Sequence, residues 1–403
     1  VVATAILASS TCVSAMTPVY DEASLQAVIN SANNDTRIKK IVFAKNAVIN
    51  LTAPVIYSGR QSLKIIGNNA TIDGSSAGSF EIDEDLTAVT EDGTLVFNTA
   101  GDLSFYKLNV INSATRGIVI NVPADADGDD IEINLRKVNI TDSALYGLHI
   151  DDNADEFDDG VTGSAIGVDL NISQSNFTGN GTGAIDFDGV RVDERAEGDI
   201  NAVIVHTHID GNGGDGIELD EAGNGDVDAT MIHVTLNGNG FYNEDDLDDG
   251  FDIDEADAGN LEAKLFHVEV KDNMDEGLDF DEAGEGSIEL KISRVLAENN
   301  ADEAIKADEA DDGDIEAIMK KVTVKNNGDD GIQFTELDQG SIEAKLKKVF
   351  AKNNAKYGIK MGQWVVEDED VSIEEPGKLK TKKVILSGNG KGDEINTNNI
   401  IVQ

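Results

Sequence analysis

Residues 277–303 read GLDFDEAGEGSIELKISRVLAENNADE. The apolar positions alternate: Leu278 and Phe280, then Ile288, Leu290 and Ile292, then Val295 and Ala297. A period of two marks β-strands, and the turn-rich breaks divide the stretch into three short ones. Each strand can bury only one face, so the unit has no core of its own. The frame restarts every 27 residues, at Gly250, Gly277, Ala304, Gly331 and Gly358, and Gly189 and Gly216 open two earlier copies. The step from Gly216 to Gly250 is seven residues longer, as a loop insertion in a solenoid would be. Stacked units share a core along the axis. This predicts an all-β solenoid, a single-stranded parallel β-helix of about 27-residue coils.

Working outward, IEINLRKVNITDS (131–143) and VDLNISQSNFTGN (168–180) align without gaps on IEAKLKKVFAKNN (342–354), so earlier coils fit with longer turns. Asn180, Asn212, Asn239, Asn273, Asn300, Asn327 and Asn354 fall in one column, where stacked amides can hydrogen-bond along the axis. An open stack exposes its core and needs a cap. DEASLQAVINSANND (21–35) supplies a helix with Leu25, Val28, Ile29 and Ala32 on one face and Asp21 placed as N-cap. The first residues, VVATAILASSTCVSAMTPVY, read as the apolar part of a secretory signal, with Val13-Ser14-Ala15 as the cleavage site before Met16; a lipidated Cys12 is the alternative. The expected divisions are 1–15 signal remnant, 16–37 N-terminal cap and 38–403 β-helix.

IKKIVFAKNAVINLTAPVIYSGRQSLKIIGNNATIDGSS (38–76) resembles the opening coils of secreted right-handed β-helix proteins of the pectate-lyase-like superfamily. The resemblance implies a right-handed coil and a secreted or cell-surface location. It also implies a function among polysaccharide lyases, hydrolases, adhesins and surface proteins. It is a fold marker and carries no catalytic residue.

Forty glycines, four prolines and a formal charge of -47 with 40% hydrophobic residues exclude a disordered acidic tail and make nucleic acid an improbable partner. No later apolar run reaches the roughly 20 residues of a membrane span. Equivalent positions in successive coils sit about 4.8 Å apart. Asp220, Asp254, Asp281 and Asp308 therefore form one column, with Asp193 before them; Glu221, Glu255, Glu282 and Glu309 form the next, with Glu194 and Glu336 at its ends. Asp215, Asp249, Glu276, Glu303 and Asp330 make a third. Like charges at that spacing repel by about 0.9 kcal/mol in water and roughly 3 to 4 kcal/mol at an effective dielectric near 20. Three offsets compete. Ca²⁺ could bridge carboxylates of neighbouring coils in the Asp and Glu columns, the columns could be solvated, or Lys264, Lys291 and Lys345 could neutralise Glu262, Glu289 and Glu343 while protons are shared elsewhere.

His206, His233, His267, Arg294, Lys321 and Lys348 make a column of opposite sign, joined by Lys320 and Lys347. It reads either as a solvated face or as a basic strip that docks an acidic polysaccharide or an acidic column of another molecule, and the partner expected overall is an acidic polysaccharide or a cell-surface or matrix component. Trp364, within the irregular stretch 362–377, is a further sugar-contact candidate against a core-covering alternative. A uronate lyase needs a Lys or Arg base beside a charge-stabilising group. Arg191, Arg195 and Lys360 are the candidates. The uniformity of the coils favours a calcium-associated surface, adhesion or matrix protein, with a lyase or glycoside hydrolase on acidic polysaccharide as the alternative. The irregular segments 151–164 and 243–250 are the other places where a site could stand.

Overall fold

The computed structural model describes residues 18–83, 86–90, 92–152, 162–243, 247–364 and 375–403. Three sequence-level expectations fall wholly or largely outside these residues: the signal stretch and most of 151–164 and 362–377. The chain is a right-handed parallel β-helix with a short N-terminal helix. Among the described residues its strands form one 22-stranded sheet, here sheet I, one 12-stranded sheet, sheet II, and a small hairpin at 81–89. Each regular coil gives two strands to sheet I and one to sheet II. In the 277 coil these are Ile288–Ser293 and Leu296–Glu298, then Asp281–Gly284.

Register follows the repeat. Leu261 pairs with Ile288 and Ile288 with Ile315, while Asp254 pairs with Asp281 and Asp281 with Asp308, all parallel. Leu278, Phe280, Ile288, Leu290, Ile292, Val295 and Ala297 are all buried, so the alternation in sequence is the alternation of inside and outside. Burying each such large side chain is worth about 1.5–3 kcal/mol.

The asparagine column is a continuous internal ladder. From Asn180 through Asn354 each Nδ2 donates to the Oδ1 of the next asparagine at 2.8–3.2 Å, and the same oxygen accepts the backbone N–H of the residue above at 3.0–3.3 Å. Asn389 extends it by one coil. The glycines that open most coils leave room here, since a Cβ at Gly277 would press on the Asn300 amide and the Ala304 carbonyl, although Ala304 is accommodated at the same position one coil on. Residues before the ladder, among them Asn299, Asn326 and Asn353, take left-handed φ of 56–61°, which Asn tolerates better than most residues. The corner between the two strands of sheet I is also left-handed, at His206, His233, His267, Arg294, Lys321 and Lys348.

The helix Glu22–Asn34 closes the N-terminal end. Asp21 Oδ1 accepts from Ser24 N at 2.8 Å, Ser24 Oγ accepts from Asp21 N at 3.1 Å, and Leu25, Ile29 and Ala32 are buried against the first coils. Gln61 Nε2 donates to the Ala32 carbonyl at 2.9 Å, fastening the last turn to the stack.

Candidate functional site

Sheet II positions the acidic columns. In its strand Phe251–Asp257, Phe251, Ile253 and Glu255 are buried, while Asp252 and Asp254 point away from the core. The same phase runs through the sheet, so Asp220, Asp254, Asp281 and Asp308 lie outside and Glu221, Glu255, Glu282 and Glu309 inside. The two adjacent columns therefore lie on opposite sides of the sheet, the Asp column outside and the Glu column inside. The third column does meet an outward one. Asp215, Asp249 and Glu276 stand beside a column formed by His149, Arg191, Glu218, Asp252, Asp279, Lys306, Gln333 and Lys360.

At its N-terminal end this outward face is closed and charge-balanced. Arg116 Nη1 approaches His149 Nδ1 at 3.0 Å, and His149 Nε2 lies 2.8 Å from Asp193 Oδ2. A guanidinium only donates, so Nδ1 accepts and the ring proton sits on Nε2, facing Asp193. Arg191 Nε donates to Asp193 Oδ1 at 2.7 Å, its Nη2 to Asp220 Oδ2 at 2.9 Å, and its Nη1 pairs with Glu218. Arg195 Nη2 reaches Asp220 Oδ2 at 2.7 Å. Burial alone would raise the Asp193 carboxyl, but Arg191 and His149 outweigh it and hold it well below the usual range. Asp188, fully buried nearby, is pushed up to about 8 because burial exceeds the pull of Arg191. Tyr146 packs its ring 4.5 Å from His149 and 4.6 Å from Phe187. With Ala88, Leu145 and Ala184 these rings form a small apolar cluster outside sheet II, which accounts for the burial of His149 and Arg116 on an outward face.

Two coils on, the balance is lost. Asp249, Asp252 and Asp279 each offer a carboxylate oxygen, all within 4.8 Å of one another; Asp215, Glu218 and Asp252 form a second such group and Asp249, Asp275 and Glu276 a third. Asp249 Oδ1 and Asp252 Oδ1 are buried and accept no hydrogen bond. Burial, then neighbouring carboxylates, drive both groups well above the usual Asp range. The next basic side chain is Lys306, whose Nζ lies 2.6 Å from Asp279, 3.3 Å from Glu276, 3.6 Å from Asp281 and 3.8 Å from Asp308.

The inward glutamates make a second internal ladder. Glu194, Glu221, Glu255, Glu282, Glu309 and Glu336 are at most 1% exposed. Both carboxyl oxygens of Glu194, Glu255, Glu282 and Glu309 lack a hydrogen-bond donor. Burial first, and the adjoining glutamates next, push Glu255 up to about 10 and Glu309 to about 9. The glycine four residues on is needed for this packing: a Cβ at Gly286 would collide with the Gly259 carbonyl and the Glu282 carboxylate.

The remaining candidates are scattered. Lys360 lies beside Gln333 and 3.6 Å from Asp330, far along the column from Arg191. Lys320, Lys321 and Lys347 are exposed and Lys348 half-buried along the sheet I corner. His206 and His233 stack there with centroids 4.9 Å apart, and Arg294 lies over Phe266 at 4.9 Å, next to His267. Lys264 and Lys291 do neutralise Glu262, at 2.6 Å for Lys291. Trp364 ends a sheet II strand, and its side chain lies outside the described part.

No protein-family model and no curated protein matches this sequence. Two solved structures align over most of the chain: the A-module of the Azotobacter vinelandii mannuronan C-5 epimerase AlgE4, with a TM-score of 0.44, 13% identity and coverage of 96% of this chain and 94% of that one; and a mutant of the periplasmic alginate epimerase AlgG, with a TM-score of 0.44, 10% identity and coverage of 90% and 76%. Both are similar to this chain in fold. No helix among the described residues is long and apolar enough to cross a membrane.

Proposed function

We propose that this chain is an exported, calcium-associated β-helix that binds an acidic polysaccharide at a cell surface or in a matrix. The outward face of sheet II is the contact surface. The observation carrying this reading is the run of outward carboxylates between Arg191 and Lys306, where Asp249 and Asp252 have no basic partner among the described residues. A chain of formal charge -47 repels a polyanion unless divalent ions bridge the two sets of carboxylates. The exposed Lys320, Lys321 and Lys347 on the sheet I corner offer a second, direct contact. Binding of polygalacturonate or alginate, followed by affinity electrophoresis, is expected with calcium and lost with chelator at matched ionic strength, while a neutral glucan is not retained. Retention that ignores the chelator, or no retention with calcium, would overturn the reading.

A second reading is favoured by one place. Arg116, Tyr146, His149 and Arg191 converge where the repeat is least regular, and such groups suit removal of the proton beside a uronate carboxylate with an arginine neutralising the charge that develops. It ranks second because both His149 nitrogens and all of the Arg191 fork are already engaged by protein partners. Release of unsaturated uronate ends, abolished by Arg191→Ala, would promote it.

A further inference from the structure

We infer that Asp249, Asp252 and Asp279 form a divalent-cation site that replaces a basic side chain missing from this stretch of the outward column. The inference deepens the reading above by naming the ion's ligands, but its geometry does not depend on any polysaccharide. Down one column the rungs read Arg191, Glu218, Asp252, Asp279, Lys306. The cation at each end reaches the acids nearest it, Arg191 taking Glu218 and Asp220 and Lys306 taking Glu276 and one oxygen of Asp279, Oδ2. Neither reaches Asp249 or Asp252.

Two features separate this place from an ordinary acidic surface. Asp249 is only 7% exposed, and its Oδ1 is fully buried without a hydrogen bond, as is the Oδ1 of Asp252. Leaving a charged oxygen buried and unpaired is costly, so a native site of this kind calls for an ion or a proton. The three ligand oxygens lie within 4.8 Å of one another, so a point between them is no more than about 2.8 Å from each, close to the 2.3–2.6 Å of a calcium–oxygen bond. The donors are all carboxylates. That favours calcium over zinc, whose sites are built mainly from nitrogen and sulfur donors, and over magnesium, which demands near-octahedral geometry. Asp215, Glu218 and Glu276 flank the site and raise the local negative field.

The test is calorimetric titration of chelator-treated full chain with calcium chloride, with thermal melting alongside. Asp252→Asn is expected to weaken calcium binding at least tenfold, while Asp314→Asn, an exposed acid at the start of a sheet I strand, leaves it unchanged. Asp252→Lys imports the arrangement of the Lys306 coil. It is expected to melt higher than the parent in chelator and to gain little from calcium. Parent-like calcium affinity in Asp252→Asn, or no gain in the melting of Asp252→Lys, overturns the site. The two readings fail separately. Polysaccharide retention that needs calcium but survives Asp252→Asn removes this site alone, whereas tight calcium binding lost in Asp252→Asn without calcium-dependent retention removes only the proposed function.

Discussion

Two ladders run inside this β-helix, one of asparagines and one of glutamates, and they solve the same stacking problem with different chemistry. An amide carries both a donor and an acceptor, so each asparagine gives Nδ2 to one neighbour and takes two N–H groups on Oδ1. An ionised carboxylate only accepts. Stacked glutamates therefore meet acceptor to acceptor, and the column can close only by holding protons. Burial is equal in the two ladders; what differs is whether the buried group completes its own hydrogen bonds.

The largest effect that would sharpen this contrast is on pH dependence. Glu194 and Glu255 are pushed to about 10 and Glu309 to about 9, against roughly 4.3 in an unfolded chain. Between those values the folded chain holds more protons than the unfolded one, so stability falls as pH rises. Each group that stays protonated only in the folded state contributes a slope of about 1.4 kcal/mol per pH unit. One such group gives a loss on the order of 4 kcal/mol from pH 6 to pH 9, and coupling spreads the titration over the column. Asp193 acts with the opposite sign: its depressed carboxyl adds stability that is lost only as pH falls through the ordinary carboxylate range and below. Urea unfolding in chelator at constant ionic strength should therefore show greater stability at pH 6 than at pH 9. A flat or rising profile breaks the contrast.

Next in size is the cost of interrupting the amide ladder. Asn300→Ala removes the acceptor for Asn273 N and Nδ2 and the donor to Asn327 Oδ1, all buried. At about 1 kcal/mol for each of the three hydrogen bonds lost, the expected loss is about 3 kcal/mol, with little dependence on pH. Denaturant unfolding at two pH values checks both parts.

How far this was legible in sequence depends on the residue. The period of 27, the inward Leu278 and Phe280 and the asparagine column all follow from spacing and hold in the structure. The same alternation, continued two residues past Phe280, places Glu282 inside as well. That signal was present but runs against the rarity of buried glutamate, so the adjacent acids read as paired surface columns. His149 was findable too, since GLHID (147–151) aligns with GVRVD (189–193), but 42 residues separate the two starts and a search at 27 passes over it. Tyr146, Arg116 and the Asp249 loop depend on contacts across irregular insertions, where no period operates. The basic corner was visible as a column of charge, but its left-handed backbone was not.

A smaller, sign-reversed effect comes from converting one ladder toward the other. Glu309→Gln supplies the missing donor without changing shape, and amide ladders of Gln stack as those of Asn do. At pH 8 the change should stabilise the chain by about 1–2 kcal/mol, because a neutral amide needs no borrowed proton. At pH 5, where the carboxyl is already protonated, the gain should vanish. A destabilised variant at both pH values would mean that the glutamates are held by ions rather than protons.

The smallest effect lies outside both ladders, on the outer face of sheet I. Lys291 sits 2.6 Å from Glu262 and 2.7 Å from Glu289, and Lys264 lies 3.1 Å from Asp228. The side chains of Lys291 and Glu289 are more than two-fifths exposed, so solvent screens the pair and holding two long side chains still offsets most of the Coulomb gain. Lys291→Ala should change stability by no more than about 0.5 kcal/mol, less still in 0.5 M salt, while the same salt leaves the pH slope of the glutamate ladder standing because that ladder is out of reach of mobile ions. A large loss on removing Lys291 would mean that repulsion along the outer acidic columns, rather than the protonation of the inner one, is what the fold must chiefly overcome.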